Sequence, residues 1–363
     1  MLKKKEYYRL DNVLENNAKY NLIFGGRNIG KTYAVKERFI NRFFENPDTN
    51  QFAYIRRWEQ DLKRKFLDCY FDDKGMTKII EKASNGKYNC IKSKEQKFYF
   101  ANTLKAGGFE LSKLQCGQAF AISSQEHYKS LNFSSISEGI FEEWITSRIY
   151  LPNEPEELNN LISTIERDND FKLFMLANTI SRVNPYISEW GLSNILRQKQ
   201  GTIDTYIRET GKFNDNGDEI KDIIVCQYCS ENDGANGVKK TSGNMIARGE
   251  WYSKQYPHLP CDKRFLEIVY TVFMEYDSFR FKLELLKSNN NIFWYCERKT
   301  TRIKEGERVV SNKYVDSPLW TFNFTPLSQN ERRAFKLLDD KKIVFCDDLT
   351  AQEFYQCLKN MNI

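Results

Sequence analysis

A glycine-rich stretch near the beginning of the chain has the residue types and spacing of a phosphate-binding loop. Residues 25–32 fit the pattern Gly-x-x-x-x-Gly-Lys-Thr, in which the glycines let the backbone wrap closely around phosphate oxygens. In such a loop Lys31 reaches the β- and γ-phosphates, and the Thr32 hydroxyl is a ligand for Mg²⁺. We therefore expect ATP and Mg²⁺ as cofactors. The predicted nucleotide-binding residues are Gly25, Gly26, Arg27, Asn28, Ile29, Gly30, Lys31 and Thr32.

Two adjacent carboxylates further along the chain have the chemistry to complete an ATP-hydrolysing site. The apolar residues 139–141 run into Glu142 and Glu143, as in a Walker B element. The first carboxylate of that element holds Mg²⁺ and the second polarises the attacking water. The usual first residue is Asp, and acidic pairs after strands are also common on solvated faces. Because this pair follows a phosphate-binding loop with strand candidates between them, we expect Mg²⁺ on Thr32 and Glu142, with Glu143 and Lys31 catalytic.

These residues need a parallel sheet to bring them together. A short apolar strand precedes the loop and a helical pattern follows it. Further strands are predicted at 51–55, which ends in Arg56 and Arg57, and at 171–179, which ends in small polar residues. Helices are predicted at 58–71 and 156–167. The pattern predicts an α/β, RecA-like P-loop domain over residues 1–203, of the additional-strand, catalytic-glutamate (ASCE) branch.

Residues 88–111 read as a hairpin inserted into this α/β unit, because short alternating runs are separated by Asn102 and by two glycines. The hairpin is basic, and a solvated hairpin is the preferred interpretation of its charges, with contact to nucleic-acid phosphates as the alternative. Its lysines are Lys92, Lys94, Lys97 and Lys105.

Residues 204–260 are rich in Gly and Asn, and we expect a linker or lid there. Cys226 and Cys229, with His258 and Cys261 downstream, have a spacing that can hold zinc. However, residues 223–229 read as a strand, on which residues three apart face opposite sides. Unpaired thiols are therefore the preferred interpretation, and zinc stays an alternative.

Residues 261–363 form a smaller α+β part with alternating strands followed by two helices. Four of its carboxylates are candidates for a two-metal nuclease site, which requires several of them to converge. A solvated sheet face is the preferred interpretation. These residues are Glu275, Asp277, Glu284 and Glu297.

The composition permits a nucleic-acid partner without requiring one, since 55 Lys and Arg against 49 Asp and Glu leave a formal charge of +6. We expect no signal peptide and no membrane span, and hence a cytosolic protein. Nine scattered cysteines fit reduced thiols, and two histidines leave little room for His-based catalysis.

Five short motifs occur in the same order and at similar spacing in the genome-packaging ATPases of phi29-like bacteriophages. They are Phe-Gly-Gly-Arg-Asn-Ile-Gly-Lys-Thr at 24–32, Tyr-Ile-Arg-Arg at 54–57, Ile-Phe-Glu-Glu at 140–143, Pro-Asn-Glu at 152–154 and Val-Asn-Pro-Tyr at 183–186. The chain resembles that family, within the FtsK/HerA-terminase group of P-loop ATPases, over its first 203 residues and more faintly beyond.

The resemblance implies a homo-oligomeric ring, expected to be a pentamer, that uses ATP to drive double-stranded viral DNA through the portal into a prohead. By position it makes Arg167 a trans-acting arginine finger and Lys129 a residue acting across the subunit interface. Without the resemblance, Arg167 is a cation that suits a helix C-terminus. In this family the C-terminal part is an RNase H-like, vestigial nuclease domain that contacts DNA or the prohead.

The resemblance also implies a location in the host cytoplasm, transiently on the prohead and not in the mature virion. A packaging RNA is a further partner in that family, which the resemblance alone does not carry over to this chain. Two alternatives remain at this point. One is a terminase large subunit with an active metal-dependent nuclease, and the other is a non-motor P-loop protein that binds nucleotide as a switch.

Overall fold

The computed structural model of the chain describes residues 8–167, 170–213, 217–229, 251, 254–259, 261–288 and 291–361. These residues form two compact units. As far as its residues are described, the first unit comprises Met1–Thr146, Tyr150–Ile180 and Pro185–Trp251. The second comprises Ser147–Ile149, Ser181–Asn184 and Tyr252–Ile363, with the same restriction.

The first unit is built on a nine-stranded sheet with a parallel centre. Its strands are β1 (Tyr20–Gly25), β2 (Gln51–Arg56), β3 (Cys90–Lys94), β4 (Lys97–Thr103), β5 (Phe109–Ala121), β6 (Ile136–Glu142), β7 (Lys172–Asn178), β8 (Thr202–Phe213) and β9 (Glu219–Cys229). Their order is β3-β4-β5-β2-β6-β7-β1-β9-β8. All neighbouring pairs from β5 to β9 are parallel, and β3, β4 and β8 extend the sheet by antiparallel pairing.

Helices cover both faces of this sheet. They are α1 (Asp11–Leu14), α2 (Lys31–Glu45), α3 (Arg64–Asp68), α4 (Lys74–Ala83), α5 (Glu154–Glu166) and α6 (Pro185–Glu189). α2 buries Val35, Phe39 and Phe43, four residues apart, in the core on one face. α5 buries Leu158 and Ile162 in the core on the other face. Both predicted helices therefore form because one apolar stripe of each packs on the sheet.

The strand order confirms the predicted ASCE class. β7 lies between β1, which leads into the phosphate-binding loop, and β6, which ends at the acidic pair. The predicted hairpin is also confirmed, since β3 and β4 pair in antiparallel register around Glu95 and Gln96, both at positive φ.

The helix predicted at 58–71 is interrupted in the structure. A 3₁₀ turn covers Glu59–Leu62, and α3 begins only after Lys63, whose backbone is extended at φ −60° and ψ 138°. Leu62 and Leu67 are buried, whereas Phe66 is half exposed. The apolar spacing that suggests one helix is satisfied here by two short turns.

The segment predicted as a linker, 204–260, departs most from expectation. β8 begins before it, and β9 pairs in parallel with β1, burying Ile224, Val225 and Cys226 in the sheet's cores. The described residues up to Cys229 are part of the first unit's sheet, because the apolar run of β9 covers the open edge of β1, whereas residues 254–259 belong to the second unit. The Gly- and Asn-rich turns between 230 and 250 lie outside the described residues.

The second unit contains a six-stranded sheet of order β14-β13-β10-β11-β12-β15. Its elements are β10 (Glu267–Tyr276), β11 (Phe279–Ser288), β12 (Asn291–Arg298), β13 (Val309–Ser311), β14 (Trp320–Phe322), α7 (Gln329–Asp339), β15 (Ile343–Phe345) and α8 (Asp348–Asn360). β10, β11 and β12 are antiparallel neighbours, and β13 and β14 continue in parallel from β10. This is the strand order of an RNase H-like fold, to which β15 adds a parallel edge beside β12.

Among the described residues, every helix is too short or too polar to cross a bilayer.

Candidate functional site

Most of the predicted nucleotide-binding residues and both residues of the acidic pair lie at the carboxyl edge of the parallel sheet. β1, β2, β6 and β7 run in the same direction, so that their ends converge there. The residues at those ends, together with the loop and the first turn of α2, line a recess of about 320 Å³. They include Arg27, Gly30, Lys31, Thr32, Arg56, Glu142, Glu143 and Asn178.

The backbone of the loop adopts conformations that favour glycine. Gly25 has φ +136° and Gly30 has φ +102°, and Asn28 between them also has positive φ. A Cβ atom on Gly25 would lie 2.9 Å from the Cys229 carbonyl oxygen, so the strand pairing of β9 leaves no room for a side chain. Gly30 precedes α2 without a side-chain cap, which leaves the first N–H groups of the helix available to phosphate oxygens.

Lys31 is buried, and backbone carbonyls hold its ammonium. Its Nζ donates to the Gly26 carbonyl oxygen at 2.5 Å and lies 3.5 Å from Asn178 Oδ1. Burial lowers the pKa of Lys31 to about 8. A bound phosphate would offset this desolvation, so the loop fits the anion that its sequence predicts.

Thr32 and Glu142 are brought together as predicted for two ligands of one metal ion. Thr32 Oγ1 donates to Glu142 Oε1 at 3.0 Å, and the Tyr54 hydroxyl lies 3.4 Å from Glu142 Oε2. Burial raises the pKa of Glu142, while the nearby Lys36 and Arg56 cations oppose that rise. A hydroxyl and a carboxylate are oxygen ligands of the kind Mg²⁺ prefers, so these two residues fit the ion.

Glu143 lies at the mouth of the same recess. Its side chain is 63% exposed, and its carboxylate lies 3.3 Å from Arg56 Nη2. Its backbone has φ +63°, a sparsely populated value for a non-glycine residue, and its N–H donates to the Leu176 carbonyl oxygen at 2.8 Å. The Glu143 side chain is therefore open to solvent at the mouth of the recess.

Sequence reasoning assigned no role to Tyr54 and Arg56, and for the polar end of the 171–179 strand, where Asn178 lies, it offered only sensing of the γ-phosphate, as in P-loop ATPases. Arg56 contacts both carboxylates of the acidic pair, Tyr54 contacts Glu142, and Asn178 lies beside Lys31. The available signal was their position: Tyr54 and Arg56 are at the end of the strand next to β6, and Asn178 ends the strand next to β1.

Arg167 and Lys129 lie together but away from this recess. The Arg167 guanidinium donates to the Lys129 carbonyl oxygen, and Lys129 Nζ pairs with Glu126 at 2.6 Å. Arg167 follows α5 and precedes the amino end of β7, whereas the recess is at the carboxyl end. Seven strand residues separate the two edges, a span of roughly 20 Å. An arginine does not bridge that span within its own chain.

The cysteines of the zinc alternative are placed separately. Cys226 and Cys229 contribute to different cores on opposite faces of β9, and neither is in a disulfide bond. In the second unit, His258 Nε2 lies 2.9 Å from Asp348 Oδ1. Among the described residues, no group of three or more His, Cys, Asp or Glu side chains has metal-binding geometry.

The four carboxylates of the nuclease alternative are each engaged by cationic side chains. Glu284 is paired with Lys263 and with Lys282, the latter at 2.6 Å, and Glu297 lies 3.7 Å from Lys282. The other two form pairs elsewhere on the sheet, Glu275 with Arg280 at 2.5 Å and Asp277 with Lys313 at 3.9 Å.

Of the hairpin lysines, Lys92 is held within the chain by Asp72 at 2.5 Å. Lys94 and Lys105 are exposed and Lys97 is partly exposed.

Sequence comparison places the chain among viral DNA-packaging proteins. A sequence model of the family described as Podovirus DNA encapsidation protein (Gp16) matches residues 2–222. The DNA packaging protein of Bacillus phage B103 is 30% identical over 176 residues, which are 47% of this chain and 48% of that protein. That of Bacillus phage phi29 is 29% identical over 187 residues, 50% of this chain and 49% of that protein. The chain thus spans about half the length of the curated relatives it matches.

A likeness of fold covers more of the chain. A chain of the bacteriophage Phi-29 viral genome packaging motor assembly is similar over 98% of this chain and 99% of its own length, with a TM-score of 0.56 and 19% identity. The family match includes the phosphate-binding loop and the acidic pair, covers well over half of the 363 residues, and confirms the resemblance inferred from the five motifs. The chain belongs to the podovirus DNA encapsidation protein (Gp16) family.

Proposed function

We propose that this chain is an ATPase that assembles into a homo-oligomeric ring and drives double-stranded viral DNA into a prohead. The observation that carries the proposal is the convergence of Lys31, the Thr32–Glu142 pair and Glu143 on one recess at the carboxyl edge of an ASCE sheet. Family membership supports the same function, because its relatives are DNA packaging proteins.

In this proposal each residue of the recess has one task. The loop amides and Lys31 bind the β- and γ-phosphates of ATP, and Thr32 and Glu142 hold Mg²⁺. Bound Mg²⁺ would neutralise charge on the phosphate oxygens. Glu143 orients the attacking water and polarises it as a general base. Arg56 lies 3.8 Å from the Glu142 carboxylate and 3.3 Å from that of Glu143, and it balances their charge.

Arg167 and Lys129 act on the recess of a neighbouring subunit. Their distance from the recess of their own chain supports this assignment, as does the exposure of both side chains. A cation supplied in trans stabilises charge on the transferring phosphoryl group and ties hydrolysis to assembly. The ring is proposed to be a pentamer by analogy with the phi29-like packaging ATPases that the five motifs resemble.

The proposed partners are double-stranded DNA and the portal of the prohead. DNA is held at its phosphates, because a motor that moves any sequence cannot depend on base edges. The exposed Lys94 and Lys105 of the hairpin are candidates for this contact. The protein would act in the host cytoplasm, transiently on the prohead.

The test measures ATPase rate against protein concentration, with and without double-stranded DNA. The variants are Glu143→Gln, which lacks the proposed base, and Arg167→Ala, which lacks the proposed finger. Arg64→Ala is a matched control, because Arg64 is also an exposed arginine of the first unit. We expect turnover per chain to rise steeply with concentration and both site variants to be inactive alone, with Arg64→Ala like wild type.

Mixing the two inactive variants separates trans from cis action. A subunit with intact Glu143 then receives an intact Arg167 from its neighbour, and we expect activity to return. If turnover is independent of protein concentration and of DNA, and Arg167→Ala is as active as wild type, the ring-motor proposal is wrong and only nucleotide binding is supported.

A further inference from the structure

Three of the five family motifs contribute a residue to one buried cluster. Arg57 comes from Tyr-Ile-Arg-Arg, Glu154 from Pro-Asn-Glu and Tyr186 from Val-Asn-Pro-Tyr. Arg57 Nε and Nη2 donate to the two oxygens of Glu154 at 2.6 and 2.8 Å, and the Tyr186 hydroxyl donates to Glu154 Oε1 at 3.0 Å. The Leu151 N–H donates to Glu154 Oε2 at 2.9 Å. We refer to Arg57, Glu154 and Tyr186 as the buried triad.

All three residues of the buried triad lie in the interior of the first unit. Arg57 is 5% exposed, and Glu154 and Tyr186 are fully buried. The Arg57 guanidinium also lies over the Tyr150 ring at 5.0 Å from its centroid. Burial by itself would lower the pKa of Arg57, but the Glu154 carboxylate outweighs burial and raises it, so that the guanidinium stays charged.

The third side of the guanidinium faces the acidic pair. Arg57 Nη1 and Nη2 both donate to the Glu143 carbonyl oxygen at 3.2 Å. Together with the Glu143 N–H bond to Leu176, this clamps both peptide groups of a residue at φ +63°. A non-glycine residue keeps such a backbone only where its surroundings hold it.

We propose that Arg57, Glu154 and Tyr186 are positioning residues that fix the backbone of Glu143 and thereby aim its carboxylate at the attacking water. This inference rests on the proposed function, since it assumes that Glu143 is the catalytic base. Arg57 touches Glu143 directly, while Glu154 and Tyr186 act through Arg57 by holding its planar fork in one orientation.

The shape of the guanidinium matters more than its charge in this role. A planar fork donates to Glu154 on one edge and to a carbonyl oxygen on another at fixed angles, whereas a lysine ammonium is a point charge without that geometry. A misplacement of about 1 Å at a catalytic group can cost on the order of 10²-fold in rate. Arg57→Lys is therefore expected to keep the positive charge but to leave the Glu143 carboxylate poorly oriented toward the attacking water.

The test compares Arg57→Lys and Tyr186→Phe with a matched control in the full-length chain. The control is Arg38→Lys. Arg38 also forms a forked pair with a carboxylate, that of Glu138, at 2.6–3.1 Å. Glu138 lies near the beginning of β6, whereas Glu143 directly follows the end of that strand. We expect Arg57→Lys to lower kcat by about tenfold or more, with the KM for ATP and the Kd of a non-hydrolysable ATP analogue within about twofold of wild type. Tyr186→Phe, which removes one hydroxyl, should lower kcat less, and Arg38→Lys should leave it unchanged.

A double variant asks whether the loss runs through Glu143. If it does, Arg57→Lys does not further lower the residual single-turnover rate of Glu143→Gln, measured at high protein concentration, because the catalytic carboxylate that Arg57 positions is then already absent. Losses that multiply, a kcat of Arg57→Lys equal to wild type, or an equal loss in Arg38→Lys would overturn the inference. A wild-type protein without ATPase activity would instead contradict the proposed function. Nucleotide affinity and thermal melting, measured on every variant, identify a chain that has merely unfolded.

Discussion

Lys31 carries a buried charge whose hydrogen-bond partners are the neutral oxygens of the Gly25 and Gly26 carbonyls and the Asn178 side chain. Its ammonium contacts the Gly26 carbonyl oxygen, and burial lowers its pKa to about 8. Thr32 and Glu142, by contrast, satisfy each other at 3.0 Å. Thr32 and Glu142, the proposed metal ligands, are thus bonded to each other, whereas Lys31 has no anionic partner among its hydrogen bonds and would be stabilised most by a bound phosphate.

The pKa of Lys31 predicts a pH-dependent cost of folding in the absence of nucleotide. Between about pH 8 and the unfolded value near 10.4, the unfolded chain binds the lysine proton and the folded chain does not, so stability rises with pH across this window. Lys31→Met removes that cost. We expect it to stabilise the nucleotide-free protein by roughly 2–3 kcal/mol near pH 7, with the advantage shrinking toward pH 10.

Urea unfolding of wild type and Lys31→Met at several pH values measures this difference. Lys105→Met, at an exposed lysine in the turn after β4, is the control and should show no such trend. An advantage of Lys31→Met that is constant with pH would contradict the burial of a charged lysine.

Gly25 is restricted in two separate ways, by its φ of +136° and by the Cys229 carbonyl oxygen 2.9 Å from where a Cβ would lie. We expect Gly25→Ala to destabilise the fold by about 1–3 kcal/mol and to weaken ATP binding at least about tenfold, because the loop must shift. Gly107→Ala has a positive φ of +88° and open space around its Cβ, so it isolates the cost of φ alone. Equal ATP affinities in the two variants would show that the close approach of β9 does not shape the loop.

Among the elements, α5 connects features that are far apart in the first unit. It begins at Glu154, which is bonded to Arg57 behind the acidic pair, and ends just before Arg167 at the other edge of the sheet. In the second unit α8 begins with a conventional N-cap, Asp347, whose side chain accepts from the Thr350 N–H at 2.7 Å. The start of α5 is therefore held by the contacts of Glu154 with Arg57 and Leu151, whereas the start of α8 is capped by a side chain.

The cap of α8 gives a prediction with a defined pH dependence. Burial would raise the pKa of Asp347, but hydrogen bonds from the Thr350 backbone and hydroxyl outweigh it and lower the pKa. A carboxyl with a depressed folded-state pKa stabilises above its unfolded value near 3.9 and loses that contribution as the pH falls further. We expect Asp347→Ala to cost about 1 kcal/mol near neutral pH and less toward pH 3.

Chemical denaturation of the full chain at pH 7 and pH 3.5 tests this expectation. Asp347→Asn keeps an N-cap acceptor without a titrating group, so it should cost less and show a flatter pH dependence. If the loss of unfolding free energy caused by Asp347→Ala grows as the pH falls, the Asp347 carboxylate does not stabilise the helix as proposed.

Considered as a whole, the molecule combines an ASCE unit that has both carboxylates of the acidic pair with an RNase H-like unit. In the second unit, each of the four candidate nuclease carboxylates is paired with a Lys or Arg side chain. Glu284 on β11 and Glu297 on β12 both pair with two lysines, Lys263 before β10 and Lys282 on β11. A two-metal nuclease needs carboxylates that are free to bind cations, and lysines in their place supply the compensating charge permanently. This arrangement favours the packaging motor over the terminase with an active nuclease.

The full chain is therefore expected to leave supercoiled plasmid intact with Mg²⁺ or Mn²⁺ under conditions where it hydrolyses ATP. Agarose gels over a time course provide the measurement, with Glu284→Gln as the reference for contaminating nuclease. Nicking by wild type that disappears in Glu284→Gln would restore the terminase alternative.

Local patterns were enough to predict the phosphate-binding loop, the acidic pair, the hairpin, the ASCE class and the three long strands of the second unit. Gly25, Gly30, Lys31 and Thr32 are close in sequence, and their chemistry depends on a turn that the glycines themselves permit. The family was also readable, because five motifs in fixed order are specific where each alone is not.

Tertiary structure alone decided which distant residues share a site. Arg57, Glu154 and Tyr186 belong to three separate motifs, and no local pattern indicates that Arg57 bonds Glu154 across 97 positions or that Arg57 contacts the Glu143 backbone. The same holds for residues 204–229, whose Gly- and Asn-rich neighbourhood suggested a linker although β9 completes the sheet beside β1. Strand pairing and buried ion pairs are contacts between remote parts of a chain, so their partners are chosen by the packed fold and not by local propensity.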